Sequence, residues 1–362
     1  MAHGRFGSQA AAPLLYNGCV IAGGLIGDGV EGFAWGVLVG AVLGNWLVPL
    51  WELRRVRVVR LRLAPLDRDF RHYLWVALPL MVGISLATVD EWYEKFLGAA
   101  LEVGSVSFLG YARKLMMVPV AVIGQALGAA ALPVLAQLHS SGRGRELNEL
   151  LVRSLRVALG LGILAGAGVF ALSGPIVEFF FRQGRFDSQS ALAVSHLLAV
   201  MALATPAWVV QQVAIRAFYA REDSWRPMLL GTGIALAVIP LYLALRGSRG
   251  VEGLALAGVI AMSLNALATL VWARVRHGAP RVSPLVDTFA RNSLIAVAAA
   301  AAATALQQHG SGRSGAALDL ALGGAGFAVV AIVGVLLVGD PALRELARSL
   351  ARRLRGSFRK RP

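Results

Sequence analysis

The fold is decided by the stretch Phe108-Leu-Gly-Tyr-Ala-Arg-Lys-Leu-Met-Met-Val-Pro119, which continues into Gln125-Ala-Leu-Gly-Ala-Ala-Ala-Leu-Pro133. About 20 apolar residues suffice to cross a bilayer as a helix, and this stretch exceeds that length. Its charges are the adjacent Arg113 and Lys114. A charge at such depth costs at least a few kcal/mol, so it is usually kept for a polar cavity, a partner or a substrate. The pair therefore indicates that the protein handles an anion within the membrane.

The composition predicts an all-α polytopic membrane protein. The 362 residues are 57% hydrophobic and only 15% charged, whereas a soluble domain carries roughly a quarter charged residues. Apolar windows of about 20 residues recur along the whole chain and predict about ten transmembrane helices. We place them at about 10–27, 32–51, 73–93, 105–136, 153–173, 191–214, 227–246, 252–272, 290–307 and 318–338.

The distribution of basic residues predicts the orientation of these spans. The net charge is +15, and most of the 35 Lys and Arg residues fall in alternate loops and in the tail. The other loops hold Lys95, Arg182, Arg185, Arg246, Arg249 and Arg313. By the positive-inside rule both termini are expected in the cytoplasm, with the basic loops against anionic lipid headgroups. This explanation makes nucleic acid an unnecessary partner.

An internal repeat indicates two related lobes. Gly29-Val-Glu-Gly-Phe-Ala-Trp-Gly recurs as Gly250-Val-Glu-Gly-Leu-Ala-Leu-Ala, and both copies run from outside to inside. A parallel repeat of this kind is a common plan of transporters. Each copy follows one other span. Four further spans, the third to the sixth, precede this pair in the second lobe, whereas only nine residues precede it in the first. A complete first lobe would need about 145 further residues upstream if the lobes were equal.

The motifs of this chain resemble those of the MurJ (MviN) family of lipid II flippases, within the superfamily of multidrug, oligosaccharidyl-lipid and polysaccharide exporters. The resemblance rests on the order and spacing of five segments. They are 104–119, 128–136, Gly174-Pro-Ile-Val-Glu-Phe-Phe-Phe-Arg-Gln-Gly-Arg-Phe-Asp187, Arg216-Ala-Phe-Tyr-Ala-Arg-Glu-Asp-Ser-Trp-Arg-Pro227 and 253–257. The match covers the family's fifth to fourteenth helices, so its first four helices are missing from this sequence.

The resemblance and the repeat together predict five regions. They are the last two helices of an N-terminal lobe (1–55), a basic cytoplasmic linker (56–72), a six-helix C-terminal lobe (73–275), two additional helices that in the family form a lipid-tail groove (276–340), and a basic amphipathic tail (341–362). In the tail, Leu343, Leu346, Leu350 and Leu354 share one face, which predicts an interfacial helix on the inner leaflet.

The resemblance implies transport of lipid II across the bacterial cytoplasmic membrane by alternating access, in cell-wall biosynthesis. The cargo carries a diphosphate between a polyprenyl tail and a disaccharide-peptide head. Two alternatives remain open: export of another lipid-linked glycan or amphiphile, and a non-transporting scaffold that docks cell-wall synthesis enzymes. Neither an enzymatic activity nor a cofactor or metal site is expected, since the histidines lack metal-ligand spacing.

Aligned with the family's Ala-Asp-Arg-Leu, Lys114 takes the position of the cavity-facing arginine and Arg113 replaces the aspartate. A lysine still binds phosphate, but as a point charge. Tyr111, Lys114 and Gln125 fall near one helical face, so we predict them as substrate-binding residues. Arg113 and Arg216 complete the predicted set: Arg113 points about 100° away from Lys114, and Arg216 would attract the diphosphate at entry.

The third span ends in two acidic residues one turn apart, Asp90 and Glu94. In the family an acidic residue on this helix helps to bind a coupling sodium ion, so these two are candidates for cation coupling. The family's other ligands, an Asn and an Asp on the seventh span, have no counterpart between Arg226 and Arg249. Sodium coupling is therefore in doubt, and the carboxylates could instead pair with Lys114 or Arg113 across the hairpin.

Overall fold

A computed structural model describes residues 7–27, 29–55, 89–182, 186–308 and 312–348, with short pieces between 67 and 78. Every regular element in these residues is helical, which confirms the all-α class. The chain forms two compact units, Met1–His72 and Tyr73–Pro362. About half of the predicted span 73–93, residues 56–66 of the predicted linker 56–72, and the tail beyond 348 lie outside the described residues.

The first unit is a helical hairpin followed by a short helix. It contains α1 (Gly7–Ile26), α2 (Gly29–Val42), a π-helical turn (Leu43–Leu47) and α3 (Val48–Arg55). Glycines bring α1 and α2 into close contact: a Cβ on Gly36 would lie 2.5 Å from the carbonyl oxygen of Cys19. Small residues at such contacts let helix backbones approach closely, as in many membrane helix pairs.

The second unit holds the remaining helices. They are α4 (Val89–Gly98), α5 (Ser105–Pro119), a π-helical turn (Val120–Gly124), α6 (Gln125–Ser140), α7 (Gly144–Ala171), α8 (Ser173–Phe181), α9 (Ser188–Ala202), α10 (Thr205–Tyr219), α11 (Trp225–Ala237), α12 (Ile239–His277), α13 (Val282–Ala305) and α14 (Gly312–Leu337). Residues 341–348 form a short C-terminal helix.

The described residues contain six helices long and apolar enough to cross a membrane, or seven if the bent pair α9–α10 is one span. The expected number of about ten is thus not confirmed, although the polytopic class is. The predicted span 105–136 corresponds to 105–140, and 191–214 to α9 and α10, which meet at 45°. The predicted spans 227–246 and 252–272 fall in one apolar stretch, Trp225–His277, which is broken at Gly250.

The two copies of the sequence repeat have a similar local backbone geometry, which begins at Gly250 in the second copy. Gly29 and Gly250 both have positive φ, +60° and +57°, which favours glycine because it lacks a Cβ. Three residues later, a Cβ on Gly32 would lie 2.3 Å from the carbonyl of Gly23, and one on Gly253 would lie 2.0 Å from that of Leu245. The glycines of Gly-Val-Glu-Gly therefore allow a reversal and then a close backbone contact in both copies.

The core of the second unit lies among α5–α7 and α9–α12. Its fully buried side chains include Leu109, Leu155, Leu198, Val209 and Leu254, at 1% exposure or less. These residues come from five helices, so their burial holds the bundle together. Helices α13 and α14 pack on one another, α13 also packs along α7 and α14 against α8, which attaches both helices to the rest of the second unit.

The start of the C-terminal helix is bound to protein rather than to lipid. Asp340, which is fully buried, accepts hydrogen bonds from Arg156 at 2.7 and 2.9 Å and from the Thr288 hydroxyl. Leu343 is 3% exposed and lies against Gly160, where a Cβ would come within 2.2 Å of its side chain. Leu343 is therefore buried in a groove of α7, while the position of the tail helix on the inner leaflet stays a prediction. Leu350 and Leu354 lie outside the described residues.

Candidate functional site

The two predicted cations of α5 have different surroundings. The Arg113 side chain points into the bundle and is 12% exposed. Its Nε and Nη2 donate to the two carboxylate oxygens of Glu94 at 3.0 and 2.6 Å, and its Nη1 donates to Asp90 at 2.9 Å. Arg113 thus makes a bidentate pair with Glu94 and a further ion pair with Asp90. Bidentate guanidinium–carboxylate pairs are strong and directional.

The spacing of Asp90 and Glu94 explains why both reach the same guanidinium. Residues four apart lie on one face of a helix, and α4 turns that face toward α5. Glu94 is 3% exposed, so its charge is tolerated only because Arg113 lies against it. Of the alternatives left open by the sequence, pairing of the carboxylates with Arg113 across the hairpin is the one observed.

A small polar cavity, about the size of one water molecule, lies beside this cluster. Its lining consists of Asp90, Glu94, Arg113, Met116, Met201, Ala204, Trp208, Ala255, Gly258 and Val259. The hydroxyl of Tyr242 is buried without a hydrogen-bond partner among the described residues, and it lies next to Gly258. The Arg113 guanidinium occupies the space between the two carboxylates, so both are already bound by a cation of the chain itself.

Lys114 follows Arg113 in the chain but lies on the exposed face of α5. Among the described residues no carboxylate lies within ion-pair distance of its ammonium group. Its Nζ lies 5.8 Å from the centre of the Tyr111 ring, within the range of a cation–π contact. Lys114 is thus an unpaired cation on a long apolar helix.

The other predicted members of this face are also accessible. Gln125 is exposed and Tyr111 is half-buried. Between Lys114 and Gln125 the chain passes through the π-helical turn that follows Pro119. This turn changes the angular spacing of side chains, so the regular α-helical register that predicted a common face for Lys114 and Gln125 is interrupted between them.

Arg216 and its neighbour Arg221 lie toward the end of α10, away from the Arg113 cluster. Arg216 contacts α6 at Gly128, its Nε lacks a hydrogen-bond partner in the described residues, and its guanidinium lies 6.0 Å from the Tyr219 ring. Arg221 donates to Asn148 at 2.9 Å, and partial burial lowers the pKa of its guanidinium. The structure does not bring Arg216 together with Lys114.

One feature near Lys114 was missed by the sequence interpretation. The ring of Tyr111 lies 4.8 Å from that of Phe181 and 5.6 Å from that of Phe186. By itself, the segment Phe-Phe-Phe-Arg-Gln-Gly-Arg-Phe-Asp at 179–187 indicates only a turn at the membrane interface, from its glycine and its aromatic residues. The signal that could have found the cluster is the aromatic pair flanking that turn, but its partner on α5 is about 70 residues earlier in the chain.

Comparison with known proteins gives a consistent assignment. The family model described as "Lipid II flippase MurJ" matches residues 1–323. A "Probable lipid II flippase MurJ" of Rhizobium meliloti (strain 1021) is 34% identical over 279 residues, which is 75% of this chain and 50% of that protein. The "Lipid II flippase MurJ" of Burkholderia cenocepacia is 29% identical over 289 residues, or 75% of this chain and 54% of that protein.

A solved structure of lipid II flippase MurJ in an inward closed conformation shares the fold. It superposes with a TM-score of 0.72 at 20% identity, covering 90% of this chain and 67% of that one. The chain spans about half the length of the curated relatives it matches.

Proposed function

The chain belongs to the lipid II flippase MurJ family, and from this premise we propose that it takes part in moving lipid II across the bacterial cytoplasmic membrane. Its relatives are named as flippases, so transport rather than catalysis is the activity to test. In this proposal the C-terminal lobe supplies a cation that meets the diphosphate of the cargo as it crosses.

The observation that carries the proposal is the unpaired ammonium of Lys114. A cation on an apolar helix is costly, and Lys114 makes no ion pair within the described residues: Glu91, whose charge attracts it, is already paired with Lys95. An anionic ligand would offset it, because a charge-assisted bond to phosphate is strong where water is scarce. Gln125, exposed further along the same segment, adds an amide that can donate to phosphate or sugar oxygens.

Arg113 has a different role in this proposal. Its guanidinium is bound by Glu94 and Asp90, so it holds α4 against α5 instead of meeting the cargo. It positions Lys114 by fixing the rotation of α5, since the two side chains are about 100° apart on the helix. Arg216 remains a proposed contact at the cytoplasmic entrance, with the Tyr219 ring beside it.

Binding of undecaprenyl diphosphate to the purified chain tests the role of Lys114. We expect Lys114→Ala to weaken binding at least about tenfold, in line with the loss of one charge-assisted hydrogen bond of roughly 1.5–3 kcal/mol. Lys114→Arg should retain binding, since it keeps the charge. Native mass spectrometry in a mild detergent would measure both.

Lys95 provides the matched control, because it is an exposed lysine on the adjacent helix that already pairs with Glu91 at 2.6 Å. Lys95→Ala should bind the lipid as the wild type does. Equal binding by Lys114→Ala and the wild type would remove Lys114 from the mechanism.

The proposal also covers the orientation of the chain in the membrane and its partners there. Both termini would lie in the cytoplasm, with anionic lipid headgroups against the basic loops and cell-wall synthesis enzymes as possible protein partners. Labelling single cysteines placed in the 141–143 turn and in the 98–104 loop, from either side of sealed vesicles, would test the orientation.

A further inference from the structure

We propose that Tyr111, Phe181 and Phe186 form a platform that binds the sugar ring attached to the diphosphate. The inference rests on the proposed function and deepens it, since it assigns a second part of the cargo to a second part of the site. The ligand class is a glycosyl diphosphate carried on a lipid.

The three rings form one continuous cluster beside Lys114. Phe181 and Phe186 lie 6.0 Å apart, and each lies within 6 Å of Tyr111. Lys114 Nζ lies 5.8 Å from the Tyr111 ring on the same helix. Tyr111 is therefore the link between a cation and two further aromatic rings.

The cluster is not fully enclosed. Tyr111, Phe181 and Phe186 are half-buried and pack against the hydrophobic core on one side. The core holds the rings, while part of each stays accessible, and the Tyr111 ring lies beside the exposed Lys114. Rigid aromatic rings lose little conformational entropy on binding, so they suit a recognition surface.

The site combines an aromatic surface with a cation, and one type of ligand would bind to both. The face of an aromatic ring carries partial negative charge and attracts the C–H groups of a sugar ring, whereas an ammonium attracts a phosphate. In a glycosyl diphosphate the phosphate is bonded directly to the sugar ring. A cation next to an aromatic surface therefore matches the point where sugar and phosphate join.

Another aromatic pair in the same segment offers a comparison. Phe180 is 56% exposed and lies 5.1 Å from Phe179, whose ring contacts Arg313. Neither Phe179 nor Phe180 contacts Tyr111 in the aromatic contacts of the described residues. Phe180→Leu is thus a matched control for Phe186→Leu.

The test compares two lipids on the full chain: undecaprenyl diphosphate and the same lipid carrying its disaccharide-pentapeptide. Native mass spectrometry would give both affinities. We expect Tyr111→Leu and Phe186→Leu to weaken binding of the glycosylated lipid about fivefold, the size of one aromatic contact near 1 kcal/mol. Phe186→Leu, which keeps the Tyr111 ring beside Lys114, should leave the affinity for undecaprenyl diphosphate unchanged. Tyr111→Phe and Phe180→Leu should match the wild type for both lipids.

The outcomes separate this inference from the function on which it rests. Unchanged binding of the glycosylated lipid by both leucine variants, or equal weakening for both lipids in Phe186→Leu, would overturn the platform while the Lys114 effect stands. A wild-type chain that binds neither lipid would overturn the proposed function, and this inference with it. Retained binding of undecaprenyl diphosphate also shows that a variant is folded.

Discussion

Arg113 and Lys114 are adjacent, carry the same charge and lie on one helix, yet their side chains have opposite surroundings. Arg113 is 12% exposed and bound by two carboxylates, whereas Lys114 is exposed and unpaired among the described residues. Breaking a buried ion pair by removing one partner is strongly destabilising, because the remaining charge is left without compensation. The two positions should therefore respond differently to the same substitution.

We expect Arg113→Ala to lower the free energy of unfolding by about 3 kcal/mol, since Glu94 would remain buried, with the half-buried Asp90 beside it, without their cation. Lys114→Ala should change it by less than about 0.5 kcal/mol, as is usual for an exposed side chain. Denaturant unfolding in mixed micelles, followed by tryptophan fluorescence, would measure both.

A double variant sharpens this residue-level prediction. Adding Glu94→Gln to Arg113→Ala removes part of the uncompensated charge, so the double variant should be more stable than Arg113→Ala alone. If the Arg113 and Lys114 variants lose the same stability, the Arg113 cluster does not contribute as the geometry indicates.

The sequence predicted which side chains share a helix face, but not which face of α5 packs against the neighbouring helix. The spacing of Asp90 and Glu94 placed them on one face, and the angle between Arg113 and Lys114 follows from helix geometry. Which of the two cations meets the carboxylates depends on the rotation of α5 in the bundle. That rotation is set by tertiary packing of residues such as Leu109 and Met116, which hydropathy does not reveal.

At the scale of elements, apolar length predicted where the helices lie but not how they are interrupted. The stretch predicted at 105–136 is helical to Ser140, with a π-helical turn after Pro119. Proline has no N–H to donate, so the hydrogen-bond pattern must shift near it. The bend between α9 and α10 lies just before Pro206, for the related reason that proline is favoured in the first turn of a helix.

The C-terminal helix depends on a contact that no local pattern indicates, because Arg156 and Asp340 are 184 positions apart. Asp340 also accepts a hydrogen bond from the backbone N–H of Ala342 at 2.8 Å, so it begins the helix as well as binding α7. We expect Asp340→Ala to raise hydrogen exchange of the 341–348 amides at least about tenfold, since a buried pair and a helix cap are lost together.

Glu345 gives the comparison for this prediction. It pairs with Arg153 at 2.5 Å, but both side chains are about 60% exposed, and exposed pairs contribute little. Glu345→Gln should leave the exchange of 341–348 nearly unchanged. Equal exchange in the Asp340→Ala variant and the wild type would mean that the apolar contacts of Ala342, Leu343 and Leu346 hold the helix without the Asp340 pair.

At the scale of the whole molecule, the repeat found in the sequence corresponds to a repeated local structure. Gly29 and Gly250 share a positive φ, and Gly32 and Gly253 share a close backbone contact, so the similarity extends from residues to local structure. The number of spans was harder to predict. Hydropathy locates apolar residues, but the Trp225–His277 stretch shows that one apolar run can contain a break at a single glycine.

The molecule as a whole should function without sodium. The carboxylates of α4 are bound to Arg113, and the segment from Arg226 to Arg249 contains no Asn, Asp or Glu to complete a sodium site. A ligand that binds only the folded state raises its stability, so a sodium site would appear as sodium-dependent stabilisation. We expect equal thermal midpoints in sodium chloride and potassium chloride at the same ionic strength, and transport of lipid II that persists in potassium.

Arg113→Gln tests whether the guanidinium is the reason for this independence. The variant leaves Asp90 and Glu94 facing the cavity without a cation, so a dissolved monovalent cation would then relieve their repulsion. Its midpoint should rise with salt more steeply than that of the wild type, whereas Lys114→Gln, which leaves the carboxylates paired, should not differ. A wild-type midpoint that rises with sodium but not with potassium would show that a sodium site exists despite Arg113, and the cluster would then need a different explanation.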